Sequence, residues 1–207
     1  MARKDTDRPA PTSFEDLLRE NRNLRHKLSR LESCGSQAYR DELTGLRNHS
    51  YFGERLGEEI SRARRRSQRC FSIMMVDVND LKAINDAHGK PEGDLVLRWV
   101  AEFLERTLRA HDVICRVGDD EFVVLLPDFA PREAASLLAR LRATLAQARP
   151  GPHYSIGLSF GLATYPEDGT SSAELMKLAS KEMNLDKRRQ DPTVVAPAGS
   201  RRTVART

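Results

Sequence analysis

Three carboxylates in two short stretches are the residues best suited to chemistry. Asp77 closes the apolar run Cys70-Phe71-Ser72-Ile73-Met74-Met75-Val76, and Asp120 and Glu121 sit in Gly118-Asp119-Asp120-Glu121-Phe122. An uninterrupted apolar run marks a central strand buried on both faces. A Gly-Asp turn between two short apolar stretches reads as a hairpin, and taken alone it is also ordinary turn chemistry. Where such a hairpin neighbours the strand, three carboxylates meet at one sheet end and repel one another unless a cation intervenes. Hard oxygen donors suit Mg2+ (or Mn2+), which is usually held by one or two carboxylates plus substrate phosphates. In phosphoryl transfer such a metal neutralises developing charge and lines up nucleophile and leaving group. The residues alone thus suggest a metal-holding turn suited to phosphoryl transfer, with Asp77, Asp120 and Glu121 as candidate ligands and an ordinary acidic turn as the other reading.

The elements that must position these residues follow from periodicity. Helices are expected at about 49–67, 92–109, 131–147 and 171–189, and strands at 70–76, 112–117, 121–127 and 154–164. Pro131 opens its helix, where its missing N–H costs nothing. Strand, helix, hairpin, helix, strand, helix implies an α+β domain: an antiparallel-rich sheet, ferredoxin-like and palm-type, with helices on one face. Upstream, Phe14, Leu17, Asn21, Leu24, Leu28 and Leu31 alternate three and four apart. That is the seam of a short parallel coiled coil over 14–34, with Asn21 favouring a two-stranded register. A lone amphipathic helix is the other reading. Residues 1–13 and the small, basic tail 191–207 are expected to be disordered, with the globular domain at 39–190. The arginines from Arg62 to Arg69 read as a solvated helix face.

Composition narrows the class without naming a function. The 207 residues are 39% apolar and 31% charged, with a formal net charge of +4. That describes a globular protein, and it is too weakly basic to argue for nucleic acid. Three scattered cysteines form no CxxC pair, so neither a zinc site nor a disulfide framework is expected. No stretch approaches the roughly 20 apolar residues of a membrane span, and a cytoplasmic location fits best.

At this point the residues resemble the GGDEF family, the diguanylate cyclases that condense two GTP into cyclic di-GMP. Four matches occur in order over roughly residues 40–190: Asp41-Glu42-Leu43-Thr44-Gly45-Leu46-Arg47-Asn48; the nucleotide loop from Asp77 to Asp86 with Gly93-Asp94; the hairpin at 118–122; and Ser159-Phe160-Gly161-Leu162-Ala163. The resemblance implies metal ligation by Asp77, Asp120 and Glu121, with Asp120 or Glu121 helping to deprotonate the attacking hydroxyl. It implies that Asn85 and Asp94 read guanine, whose N1–H and 2-amino group suit a carboxylate acceptor. Lys82 and Lys187 match positions that touch phosphates, although Lys187 alone would also serve as a solvated helix-end lysine. Arg109-Ala110-His111-Asp112 matches the RxxD inhibitory site, where product cyclic di-GMP binds; a helix-end Arg and an Asp leading into a strand is the other reading. The partners implied are GTP, cyclic di-GMP, a second copy through the N-terminal helix, and a protein partner supplying the input signal.

The sequence also departs from the family. The second glycine of the signature is Asp119, which is tolerable as a turn residue able to take the left-handed region. A carboxylate there repels phosphate, by roughly 1–4 kcal/mol for a unit pair near a surface. Gly89 is followed by Lys90, Asn48 by His49, and a phosphate-contacting arginine is replaced by Asp191, with Arg188 and Arg189 out of register. Two expectations follow: an active Mg-dependent, dimeric diguanylate cyclase with product binding at RxxD, or a catalytically impaired relative serving as a cyclic di-GMP receptor or scaffold.

Overall fold

The computed structural model describes residues 38–65, 70–148 and 156–190. The coiled-coil helix, both expected disordered ends and Asp191 lie outside the described residues. The folded unit runs from Asp41. Its sheet has five strands in the order β1-β3-β4-β2-β5. They are β1 (Arg47–Asn48), β2 (Phe71–Val78), β3 (Val113–Arg116), β4 (Glu121–Pro127) and β5 (Leu158–Tyr165). β1 runs parallel to β3, and the other neighbouring pairs are antiparallel. The helices are α1 (His49–Arg64), α2 (Leu81–His88), α3 (Lys90–Thr107), α4 (Pro131–Gln147) and α5 (Ser172–Gln190). The α+β, palm-type expectation holds.

One detail of it is corrected. Helices cover both faces of the sheet, because side chains alternate along β2 and every residue of β2 is buried. Met74, Val76 and Val78 join Ile84 of α2, Val100 and Leu104 of α3 and Leu141 of α4 in one core. Ile73 and Met75 join Phe52 and Leu56 of α1 and Leu175 and Met183 of α5 in the other. The nucleotide loop is also more regular than expected. It contains α2, and Gly89, at φ 87, separates α2 from α3. The late strand starts at Leu158, and α3 ends before Arg109.

α5 lies against β5 with no room to spare. A Cβ on Gly161 would sit 1.9 Å from the Ala179 carbonyl oxygen and 2.3 Å from the Met183 nitrogen. Glycine is required there by contact with the helix backbone itself. The start of α5 is fixed by Glu174, whose Oε2 accepts from the Thr170 and Ser171 N–H groups at 2.8 and 3.1 Å.

Candidate functional site

The antiparallel register sets the carboxylates against one another. Asp77 on β2 lies opposite Glu121 on β4 and Ser159 on β5. Asp120 comes next to them in the hairpin, and its carbonyl accepts from the Val78 N–H at 3.0 Å. From α5, 110 residues away, Lys187 Nζ donates to Asp77 Oδ1 at 2.6 Å. Asp77 is only 5% exposed. Burial lifts its carboxyl above the ordinary value and the charges of Asp120 and Asp80 add to the lift; Lys187 opposes this without cancelling it. Glu121 is raised as well, by burial first and then by Asp120 and Asp77. Burial works against the Lys187 ammonium, yet its hydrogen bond to Asp77 and the charges of Asp77, Asp120 and Asp80 hold its pKa above the ordinary lysine value. Asp77 thus titrates high first because it is buried, with the charges of Asp120 and Asp80 adding to the lift, whereas Lys187 is held high against burial by its bond to Asp77 and by the surplus of negative charge at this end of the sheet.

That surplus decides what the donors fit. Among the described residues no three His, Cys, Asp or Glu side chains gather closely enough to hold a metal by themselves. Carboxylates that do not close a shell by themselves suit a hard divalent cation whose remaining ligands are phosphate oxygens.

Sequence reasoning assigned no role to two residues here. Arg116, at the end of β3, donates through Nη1 to both oxygens of Asp41 at 3.2 Å and through Nη2 to the Asp119 carbonyl at 2.7 Å. It ties the 41–48 motif to the hairpin; its only sequence signal is a basic residue two positions before Gly118. Asp80 sits at φ 57 between β2 and α2 and adds to the charge on Asp77 and Lys187. Asp119 itself is exposed, and it is not among the positive-φ residues of the described chain, which apart from glycines are Asp80 and Asp128. Asp119 thus does not use the left-handed region that an Asp is able to take. Its carbonyl is held by Arg116 and its side chain is exposed.

The other three of the four residues matched to substrate binding, beside Lys187, lie on the helices that leave the same sheet end. Lys82 is exposed on α2. Asn85 on α2 packs against Gly93 of α3, where a Cβ would come within 2.0 Å of its Oδ1. That buried Oδ1 has no hydrogen-bond partner. Asp94 follows Gly93 and is half-buried. The Asn85 amide oxygen is therefore a buried acceptor short of a donor.

Arg109 and Asp112 lie apart from this cluster. Val113, which begins β3, pairs with Leu125, whereas the site end of β4 is Glu121. Four residues of strand make that offset about 14 Å. Asp112 Oδ2 accepts from the Arg109 N–H at 2.8 Å, its Oδ1 is buried without a hydrogen bond, and the Arg109 guanidinium lies 4.5 Å over the Phe129 ring. Arg109, Phe129, Arg132 and Arg140 line a recess of about 410 Å³. Burial pushes the Asp112 carboxyl up from its ordinary 3.8, against the Arg109 N–H bond and the nearby positive charges. The folded chain thus keeps a proton on Asp112 to higher pH than the unfolded chain does. Stability follows unfolded minus folded protons bound, so this contribution falls as pH rises from about 4 through the raised value. Asp112→Asn removes it. In denaturant titrations the wild-type chain is expected to gain on the variant as pH is lowered from about 7 to about 4.5; a gain by the variant would contradict the shift.

Comparison with known proteins gives a consistent picture. Residues 38–192 match the family model described as "Diguanylate cyclase, GGDEF domain". The chain is 38% identical over 148 residues to the bifunctional diguanylate cyclase/cyclic di-GMP phosphodiesterase MucR of Pseudomonas aeruginosa, covering 70% of this chain and 22% of MucR. The structure of the GGDEF domain of TpbB (YfiN) from Pseudomonas aeruginosa superposes with a TM-score of 0.67 at 32% identity, covering 72% of this chain and 89% of that one. The coiled coil and GGDEF domain of DgcB from Caulobacter crescentus, solved in complex with c-di-GMP, gives 0.75 at 23% identity over 84% and 93%, a likeness of fold. The chain spans less than half the length of the first curated relatives it matches.

Proposed function

This chain belongs to the GGDEF family, and on that premise we propose that it condenses two GTP into cyclic di-GMP, with Asp77, Asp120 and Glu121 as its metal-binding and catalytic groups. The observation that carries the reading is the crowding of carboxylates around the Asp77–Lys187 pair, which leaves uncompensated negative charge where a metal–triphosphate would bind. When bound, Mg2+ or Mn2+ would neutralise phosphate charge and polarise the α-phosphate.

The chain's own residues do the rest. Asn85 and Asp94 hold the guanine edge through the unpartnered amide oxygen and the neighbouring carboxylate. Lys82 and Lys187 meet phosphate oxygens as point charges. Asp120 or Glu121 would take the 3′-hydroxyl proton as the general base. The 3′-oxygen forms a bond to the α-phosphorus of the facing GTP, the bond to the β-phosphate breaks, and pyrophosphate leaves. A second, symmetry-related transfer closes the ring. Each protomer supplies half of the site, so a homodimer through residues 14–34 would provide the proximity. A protein partner acting through that helix would supply the signal, and the cytoplasm would supply GTP; no described helix is long and apolar enough to cross a membrane.

A second reading rests on the recess beside Arg109. With Arg132 and Arg140 it offers three guanidinium groups to an anionic nucleotide. The same recess would serve a product-inhibited cyclase or a receptor that has lost turnover. Calorimetric binding of non-hydrolysable GTP and ATP analogues with Mg2+ tests the substrate reading. The guanine analogue is expected to bind at least roughly a hundredfold tighter; equal affinities would remove Asn85 and Asp94 from guanine recognition. Asp119→Gly is expected to raise kcat/KM severalfold by removing a carboxylate from the phosphate path. A fall would show that Asp119 takes part in binding.

A further inference from the structure

Asp186 is an acid buried at the basic end of α5, immediately before Lys187. Only 7% of it is exposed, and its carboxylate is fully engaged. Oδ2 accepts from the Phe160 N–H of β5 and from Gln190 Nε2, both at 2.9 Å. Oδ1 accepts from Arg142 Nη2 of α4 at 2.7 Å. Gln190 Nε2 also donates to the Leu158 carbonyl at 3.2 Å, and the Arg142 guanidinium lies 5.7 Å from the Phe160 ring centre.

Among the described residues β5 is the edge strand, and no further described strand pairs with the Phe160 N–H and the Leu158 carbonyl. Asp186 and Gln190 take that place. The last turn of α5 is thereby fastened both to the sheet edge and to α4. Successive helix residues are about 100° apart, so a helix turn held at Asp186 has one direction for the next side chain. In this structure that side chain is Lys187, with its ammonium on Asp77. A lysine on a frayed last turn would lose its place through side-chain and backbone freedom.

We propose that Asp186 is a positioning residue: its carboxylate anchors the end of α5 to β5 and Arg142, and so sets Lys187 at Asp77. What Lys187 does there rests on the function proposed above; the anchoring does not.

Two measurements separate these layers. In the first, lysine acylation is followed by quantitative mass spectrometry without nucleotide. Lys177 and Lys181 are exposed on the same helix and serve as internal controls. Asp186→Ala is expected to raise acylation of Lys187 about fivefold and to leave the controls unchanged. Arg142→Leu removes a half-exposed partner from outside the core and is expected to give about a twofold rise, which keeps the test open where Asp186→Ala does not fold. No rise at Lys187 in either variant, or an equal rise at all three lysines, would overturn the proposal. In the second, affinity for a non-hydrolysable GTP analogue with Mg2+ is expected to fall about tenfold in Asp186→Ala, with no further fall when Lys187→Met is already present. Equal losses in both backgrounds would mean that Asp186 acts on the fold rather than through Lys187. Absence of GTP-analogue binding by the wild-type chain would count against the proposed function and leave the acylation result to decide the anchor.

Discussion

Asp77→Asn is expected to lower cyclic di-GMP synthesis by at least about a thousandfold while leaving the domain folded. The side chain keeps its shape but loses the charge that pairs with Lys187 and that a metal–triphosphate would require. Its position magnifies the loss. Asp77 lies opposite Glu121 and beside Asp120 at the end of a fully buried strand, so no mobile neighbour can take over its place. Stability should change little, because burial already opposes the charged form of Asp77 and the Lys187 side chain is 41% exposed, so water can solvate its ammonium. A shift within about 1 kcal/mol is expected. Product chromatography and a melting curve check both halves. A variant that keeps a tenth of wild-type turnover would place the metal elsewhere.

The second large effect is on stability. Gly161→Ala puts a methyl group into the backbone of α5, against the Ala179 carbonyl and the Met183 N–H. No flexible side chain stands in the way to yield, so the helix must lift from β5. Overpacking of this kind costs about 3 kcal/mol, which for a domain of this size lowers Tm by roughly 6–12 °C. α5 also carries Lys187, and so turnover should fall with stability. That coupling distinguishes the two variants, because Asp77→Asn loses activity alone. A Gly161→Ala chain with unchanged Tm would mean that β5 and α5 stand further apart than described.

Much of this was legible in the sequence because it is local. The apolar run before Asp77, the hairpin and Pro131 announced β2, β4 and α4 within a residue or two at most ends. α2 was not legible. Its eight residues bury only Leu81 and Ile84, too few for a periodic signal, and one glycine divides it from α3. The second helical layer was implied by the continuous burial of β2, although element order alone favoured one face. Within the site, residue types identified Asp77, Asp120 and Glu121, while Lys187 came from its match to a family position. The Asp77–Lys187 contact spans 110 residues, and no local pattern carries it. Arg116 and Asp186 escaped notice for the same reason: a charged residue on a strand end or a helix looks solvated until the partner that buries it is known.

The carboxylate end of this sheet is proposed to make cyclic di-GMP. The direct measurement is incubation of the purified chain with GTP and Mg2+ or Mn2+, followed by chromatography of the nucleotides. Metal-dependent appearance of cyclic di-GMP and pyrophosphate is expected, and neither is expected from Asp77→Asn. GTP left intact with either metal would contradict the proposal.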